Sequence, residues 1–308
     1  MAERKSKIEM LKVALHKGDL GKKAVTALFM GLGYSNFAVG AVERRWRSYL
    51  DLKKRYATYA QEIADFSLGK EKSEDVWVCW LQGLEQAPQL VKTCYGRMQA
   101  VFGSERVHLV TESNICDYVK LPDFLMDKWQ SGQITNTHFS DLLRNELLIE
   151  HGGLWLDSTV YMSGDLPGFI ENSPLFMYKH MNIDDISICY NSWLIKANKG
   201  DGTLKSLQTL LTRYWKDNDR ISDYFLWHLC LTLLLENCDC RIEGLLPVSD
   251  YLPESLALLI DQPYDARQWM DLKRLTSIHK LSNKIDLDAA RQPGTFYDAL
   301  IGGASLVG

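Results

Sequence analysis

The feature that most constrains this chain is the run Val76-Trp77-Val78-Cys79-Trp80. Five consecutive apolar residues follow the polar stretch Ser67–Glu74, and a run so short and so rich in β-branched and aromatic residues reads as a buried strand. Pro88 then opens a helix through about Val101. Arg106-Val107-His108-Leu109-Val110 reads as a second strand, and Leu154-Trp155-Leu156, entered through Gly152-Gly153, as a third. Helices are expected over 122–130 and 137–150. Further strands are expected at Leu175–Tyr178, Ile186–Cys189 and Trp193–Ile195. The pattern turns helical over 203–217, 222–236, 253–260 and 265–276. Strand–helix–strand alternation of this kind argues for an α/β sheet.

The chain has 308 residues with 46% apolar and 24% charged side chains. That is enough apolar surface to exclude disorder, and enough length for one large domain or two smaller ones at about 150 residues each. The seven cysteines form no C-x-x-C pair, so they are expected to be free buried thiols of a reducing compartment. The N-terminus MAERKSKIEMLK lacks the apolar run of a secretory signal. Ala24–Val42 carries no charge over 19 residues, but its three glycines, Ser35 and Asn36 make it a poor membrane span. It reads as the end of one helix, a turn, and the start of a second helix running to about residue 65.

Charge is unevenly spread. Residues 1–60 hold 13 Lys/Arg and 5 Asp/Glu, a balance of +8, so the net charge of −4 leaves −12 for the remainder. The segment Glu43–Tyr56 has helical spacing with interleaved aromatics. Such a helix suits either an anionic membrane surface or a solvated face packed on the main domain. No zinc-finger or RNA-binding signature accompanies it, so nucleic acid is not an expected partner.

Dinucleotide and P-loop glycine motifs, the G-x-S-x-G elbow and H-E-x-x-H are all absent. What remains is His138-Phe139-Ser140-Asp141-Leu142-Leu143-Arg144, then Gly152-Gly153-Leu154-Trp155-Leu156-Asp157-Ser158-Thr159. Asp141 and Arg144, at i and i+3, share a helix face. Asp157 follows an apolar strand, at the end where open α/β sheets place ligands. By spacing alone, a surface Asp–Arg pair and a turn aspartate are the favoured reading. Trp77 and Trp80, three apart on a strand, point to opposite faces; Trp80, at the strand end, is the better placed for a ligand. His138 is assigned no role, Asp223 reads as a helix-start charge, and Asp184-Asp185 as a turn.

These motifs resemble the capsular polysaccharide synthesis protein family and, more widely, the D-x-D sugar transferases, whose pattern is S-D-x-x-R followed by G-G-x-x-x-D-x-D. Trp77-Val78-Cys79-Trp80-Leu81-Gln82-Gly83 resembles that family's first strand, and Ser277-Ile278-His279-Lys280-Leu281 its C-terminal S-x-x-H-K-L element. The similarity spans roughly residues 70–285. It implies a GT-A-like nucleotide-sugar-binding sheet flanked by helices over 75–308, with a helical C-terminal part and a helical N-terminal extension over 1–66.

The activity implied is transfer of a sugar, with retention, from a nucleoside diphosphate to a hydroxyl of a surface polysaccharide or lipid-linked glycan. By the same resemblance, Asp157, Asp141 and Arg144 are the catalytic set. Trp80, Ser140, Asp141, Arg144, Asp157, His279 and Lys280 bind the donor, with Trp80 stacked on its base. Asp157 and His279 are the implied ligands of a Mn²⁺ or Mg²⁺ ion. The second Asp of D-x-D is Thr159 here, a weak ligand for a hard cation, so Lys or Arg charge is the alternative to metal. A non-catalytic sugar-nucleotide or glycan-binding protein is the other function the sequence allows. The implied location is cytoplasmic, peripheral on the inner face of the membrane through residues 1–66.

Overall fold

The computed structural model describes residues 37–181, 185–238, 241–283 and 287–302. The expected first helix and most of the uncharged run Ala24–Val42 lie outside these residues. In chain order come helix α1 (Phe37–Ile63), strand β1 (Val76–Cys79), α2 (Gln89–Phe102), β2 (Val107–Val110), α3 (Asp123–Gln130) and α4 (Asn136–Glu150). Next are β3 (Gly153–Leu156), β4 (Val160–Met162), β5 (Leu175–Lys179), β6 (Tyr190–Ala197), α5 (Gly202–Asp217) and α6 (Leu226–Leu234). Helix α7 (Ala266–Leu275) and β7 (Ile278–Lys280) follow, and short helical turns fill several connections.

Five strands form one mixed sheet in the order β2-β1-β3-β6-β5. β1 runs parallel to β2 and β3, while β6 is antiparallel to both β3 and β5. β4 and β7 form a separate antiparallel ribbon. Side-chain alternation divides the core between the sheet's two faces. Trp77, Val110, Trp155 and Ile195 pack with α1, α4, α5 and α6 in one cluster. Val76, Val78, Val107, Leu154 and Leu156 pack with Met98 of α2 and with the β4–β7 ribbon in another.

Helix α1 is joined to this core. Tyr49, Leu52, Tyr56 and Ala60, spaced 3, 4 and 4 apart, form a buried stripe against α5 and α6. Arg45 pairs with the buried Asp185 and lies 3.9 Å over the Phe225 ring. The basic helix is therefore packed on the main domain, one of the two arrangements its sequence allowed. No described helix is long and apolar enough to cross a membrane.

Three expectations are corrected. Ile186–Cys189 is not a strand: Asp185 accepts hydrogen bonds from both the backbone and the hydroxyl of Ser187, and Cys189 N donates to Thr232 Oγ1, 3.2 Å away. Local side-chain bonding there outcompetes the ladder. The helix expected over 253–260 is two short turns, Tyr251–Glu254 and Ser255–Leu258. Cys189 is disulfide-bonded, against the expectation of free thiols throughout. Cys79, Cys94, Cys116, Cys230 and Cys238 are free.

Candidate functional site

The parallel strands β1 and β3 end on the same edge of the sheet. The chain leaves β1 to build β2 on one side and returns to build β3 on the other. Their C-terminal ends therefore flank a change of winding direction, where α/β sheets open a crevice. A cavity of about 1020 Å³ lies there. Cys79–Gln82 line it from the end of β1, and Trp155, Asp157, Ser158 and Thr159 from β3 and the turn beyond. Helix α4 supplies Asn136, Thr137, Ser140 and Arg144; Lys280 and Leu281 come from the β7 end. Exposed Tyr224, Tyr251 and Leu258, together with Glu254, complete the wall. Burial, then Asp250, push the Glu254 carboxyl above its ordinary range.

Two glycines set the distance from α4 to β3. Gly152 and Gly153 have φ of 70° and 101°, in the region that L side chains avoid. A Cβ on Gly153 would lie 2.3 Å from the Asp75 carbonyl oxygen, and one on Gly152 would lie 2.7 Å from Lys199 N. Trp77 closes the turn from below, its indole donating to Gly152 O at 2.9 Å. Helix, double-glycine turn and strand together deliver Arg144 and Asp157 to one place.

Arg144 is buried and joins both aspartates. Its Nη2 is 3.1 Å from Asp141 Oδ1 and 3.3 Å from Asp157 Oδ1. Nη1 donates to Ser192 O on β6 at 2.6 Å, Nε to Ser140 O at 3.3 Å, and the guanidinium lies 4.9 Å over the Trp155 ring. Trp155, two residues before Asp157 and so on the same face, donates its indole N–H to Asp157 Oδ1 at 3.1 Å. On the other side Lys280 Nζ stands 3.1 Å from Asp157 Oδ2 and 2.7 Å from Thr159 Oγ1. Burial pushes the Asp157 carboxyl up, but Lys280, Arg144 and the Trp155 indole outweigh it and hold the carboxyl below the usual range.

Behind Arg144 the network continues into the core. His138 Nδ1 lies 3.2 Å from Asp141 Oδ2, and Trp215 Nε1 donates to His138 Nε2 at 2.9 Å. One helical turn further along α4, Asn145 accepts from Trp227 Nε1 at 3.0 Å and donates to Gln208 Oε1 at 3.2 Å. The polar side chains of α4 thus satisfy one indole on α5 and one on α6.

The residues singled out from sequence are only partly brought together. Ser140, Arg144, Asp157, Lys280 and Trp80 line the cavity. Trp77 is buried in the core, whereas Trp80 is half-buried and its indole N–H has no partner among the described residues. Asp141 is buried behind Arg144, which it holds, and does not line the cavity. His279 is also outside the cavity. It alternates with Lys280 on β7, so its ring turns the other way, Nε2 to Ser163 Oγ at 2.8 Å, beside Trp269 and Tyr161. Burial lowers its pKa to about 3.

The implied metal pair, Asp157 with His279, is therefore not assembled. Among the described residues no three His, Cys, Asp or Glu side chains converge on a cation site. A carboxylate already held by Arg144 and Lys280, beside a neutral Thr159, is a poor fit for a divalent ion.

Sequence reasoning gave His138 no role, although its i, i+3 spacing to Asp141 was visible. The contribution of Ser192 is a backbone carbonyl, which no side-chain motif reports.

A family model described as "Capsular polysaccharide synthesis protein" matches residues 38–300. The chain belongs to the capsular polysaccharide synthesis protein family. The match takes in helix α1, which sequence had set apart as an extension without a signature, in keeping with its buried stripe. Among solved structures the chain is similar to "PaToxG Glycosyltransferase", at 12% identity and a TM-score of 0.40, over 82% of this chain and 90% of that one. No curated protein matches.

Proposed function

We propose that this family member is a glycosyltransferase with a GT-A-like sheet. It moves a sugar from a nucleoside diphosphate to a hydroxyl of a surface polysaccharide or lipid-linked glycan. The observation that carries the reading is the Arg144–Asp157–Lys280 cluster, set beside Trp80 where β1 and β3 end. A cavity of about 1020 Å³ is at the upper end of the ordinary range for small-molecule sites, as a nucleotide sugar with an acceptor requires.

Trp80, which lines the cavity, offers an aromatic face to the base. Asp157, ionised and fixed by three donors, accepts hydrogen bonds from donor hydroxyls. Lys280 spends two N–H groups on Asp157 and Thr159, leaving a third for a phosphate oxygen. In the reaction the bond from the anomeric carbon to the diphosphate oxygen breaks, a bond to the acceptor oxygen forms, and the acceptor proton passes to the departing diphosphate. Positive charge near the diphosphate stabilises the leaving group as it departs. Retention of configuration belongs to the same proposal. So does a peripheral position on the cytoplasmic face of the membrane, supported by the +8 balance of residues 1–60. Unchanged liposome binding after removal of residues 1–36 would refute a membrane role for that part of the segment.

The test is a panel of nucleotide sugars with Mn²⁺, Mg²⁺ or EDTA, read by released nucleoside diphosphate and by thermal shift. One donor should raise Tm and release its nucleotide. No shift with any donor defeats the reading. A shift without release across a panel of glycan acceptors would make the protein a sugar-nucleotide-binding member of an assembly complex.

A further inference from the structure

We infer that Lys280 is a built-in counter-cation for the diphosphate, standing between residues 157 and 159 where the D-x-D pattern would hold a divalent ion. The inference rests on the donor reading above and specifies how that site supplies its positive charge.

Backbone structure fixes the position of this lysine. In the β4–β7 ribbon Lys280 is opposite Val160, and Leu281 N donates to Thr159 O at 3.0 Å. The ribbon therefore holds the Lys280 side chain beside residue 159. Its Nζ meets Asp157 Oδ2 at 3.1 Å and Thr159 Oγ1 at 2.7 Å, one contact from each side of the motif.

The same geometry disfavours a metal there. A divalent ion between Asp157 and Thr159 would face the ammonium at close range, where like charges repel strongly in a partly buried site. Only one carboxylate would be offered to it, already engaged by Arg144, Lys280 and the Trp155 indole. Hard cations take about six or more oxygens, and Mg²⁺ beside a substrate phosphate is ordinarily anchored by one or two carboxylates free to ligate it, which this engaged one is not. His279, the other implied ligand, is turned away to Ser163 on the opposite face of β7. Thr159 and Lys280 thus act as a pair. The neutral hydroxyl at 159 accepts a hydrogen bond from the ammonium, which a carboxylate–metal pair there would not leave room for.

The test is calorimetric titration of UDP, GDP, CDP and ADP into the full chain after dialysis against EDTA, repeated with millimolar MnCl₂. The preferred nucleotide should bind with a Kd within about twofold in the two conditions, a difference well below one factor of ten in affinity. Lys280→Met should weaken binding about tenfold or more in both, the size expected for one charge-assisted hydrogen bond. Wild-type binding that appears only with Mn²⁺ overturns the inference and leaves the donor reading standing. Full affinity in Lys280→Met also overturns it. No binding of any nucleotide in either condition overturns the donor reading and this inference with it. The wild-type comparison needs no variant, so it decides even where Lys280→Met fails to fold.

Discussion

Trp215 Nε1 donates to His138 Nε2 at 2.9 Å, and this bond fixes which ring nitrogen of His138 carries the proton. An indole nitrogen can only donate, so Nε2 is the acceptor and Nδ1 holds the hydrogen. Nδ1 lies 3.2 Å from Asp141 Oδ2, whose other oxygen meets Arg144 Nη2 at 3.1 Å. Orientation is thus passed from α5 through α4 to the guanidinium that steadies Asp157.

Trp215→Phe keeps an aromatic ring, of smaller volume, and removes the donor. It should leave His138 Nε2 buried without a partner, at a cost of about 1–3 kcal/mol in urea unfolding. Because Trp215, His138 and Asp141 do not line the cavity, transfer should fall through kcat, with the donor KM nearly unchanged. A KM rise at constant kcat would place the effect elsewhere.

Arg144→Lys tests the bridge. A lysine can approach one aspartate but cannot reproduce a fork that meets Asp141, Asp157 and Ser192 O together. Donor transfer should drop by about two orders of magnitude, in the range seen when a preorganised electrostatic group is lost. Asp157→Asn should do at least as much, with its circular dichroism spectrum unchanged. Turnover near wild type in Asp157→Asn would remove that residue from the mechanism.

Much of this arrangement was legible in the sequence because its parts are local. β1, β2 and β3 are compact apolar runs, and Ser140, Arg144 and Asp157 sit within one helix, one turn and one strand. The parts that were not legible depend on distant pairing. β4 and β7 are three residues each and become strands only by pairing with each other, as in Tyr161 with His279. Without that register nothing indicates that Lys280 faces Asp157 and His279 does not. Strand β6 was read only in its middle, Trp193–Ile195, and a separate strand was expected at Ile186–Cys189, whose strand propensity is overridden by the Asp185–Ser187 bonding. The Trp215–His138 bond joins residues 77 apart in sequence. Helix α1 hid its role because its buried stripe is largely aromatic, Tyr49 and Tyr56, among many charges.

Gly153→Ala tests the turn that joins α4 to β3. At a φ of 101° and with Asp75 O only 2.3 Å from the added Cβ, no rotamer relieves the clash. The backbone itself must move. Strain and overpacking together should cost at least about 2 kcal/mol in urea unfolding. Ala at Gly96, on the outer side of α2 with nothing within 4 Å of its Cβ, is the control and should be neutral or stabilising.

Asp201 gives a stability prediction with a definite sign. Its carboxylate caps α5, accepting from Leu204 N at 3.1 Å, yet burial raises its pKa to about 6. In the unfolded chain the group titrates near 4, so between about pH 4 and 6 the native state holds a proton that the unfolded state has lost. Stability attributable to this group therefore falls as pH rises through that window and levels off above it. Asp201→Asn keeps an N-cap acceptor and cannot ionise. The stability difference, variant minus wild type, should rise by up to about 3 kcal/mol between pH 4 and 7 in urea titrations. A difference that stays flat with pH would mean that Asp201 ionises in the folded protein as readily as in the unfolded chain.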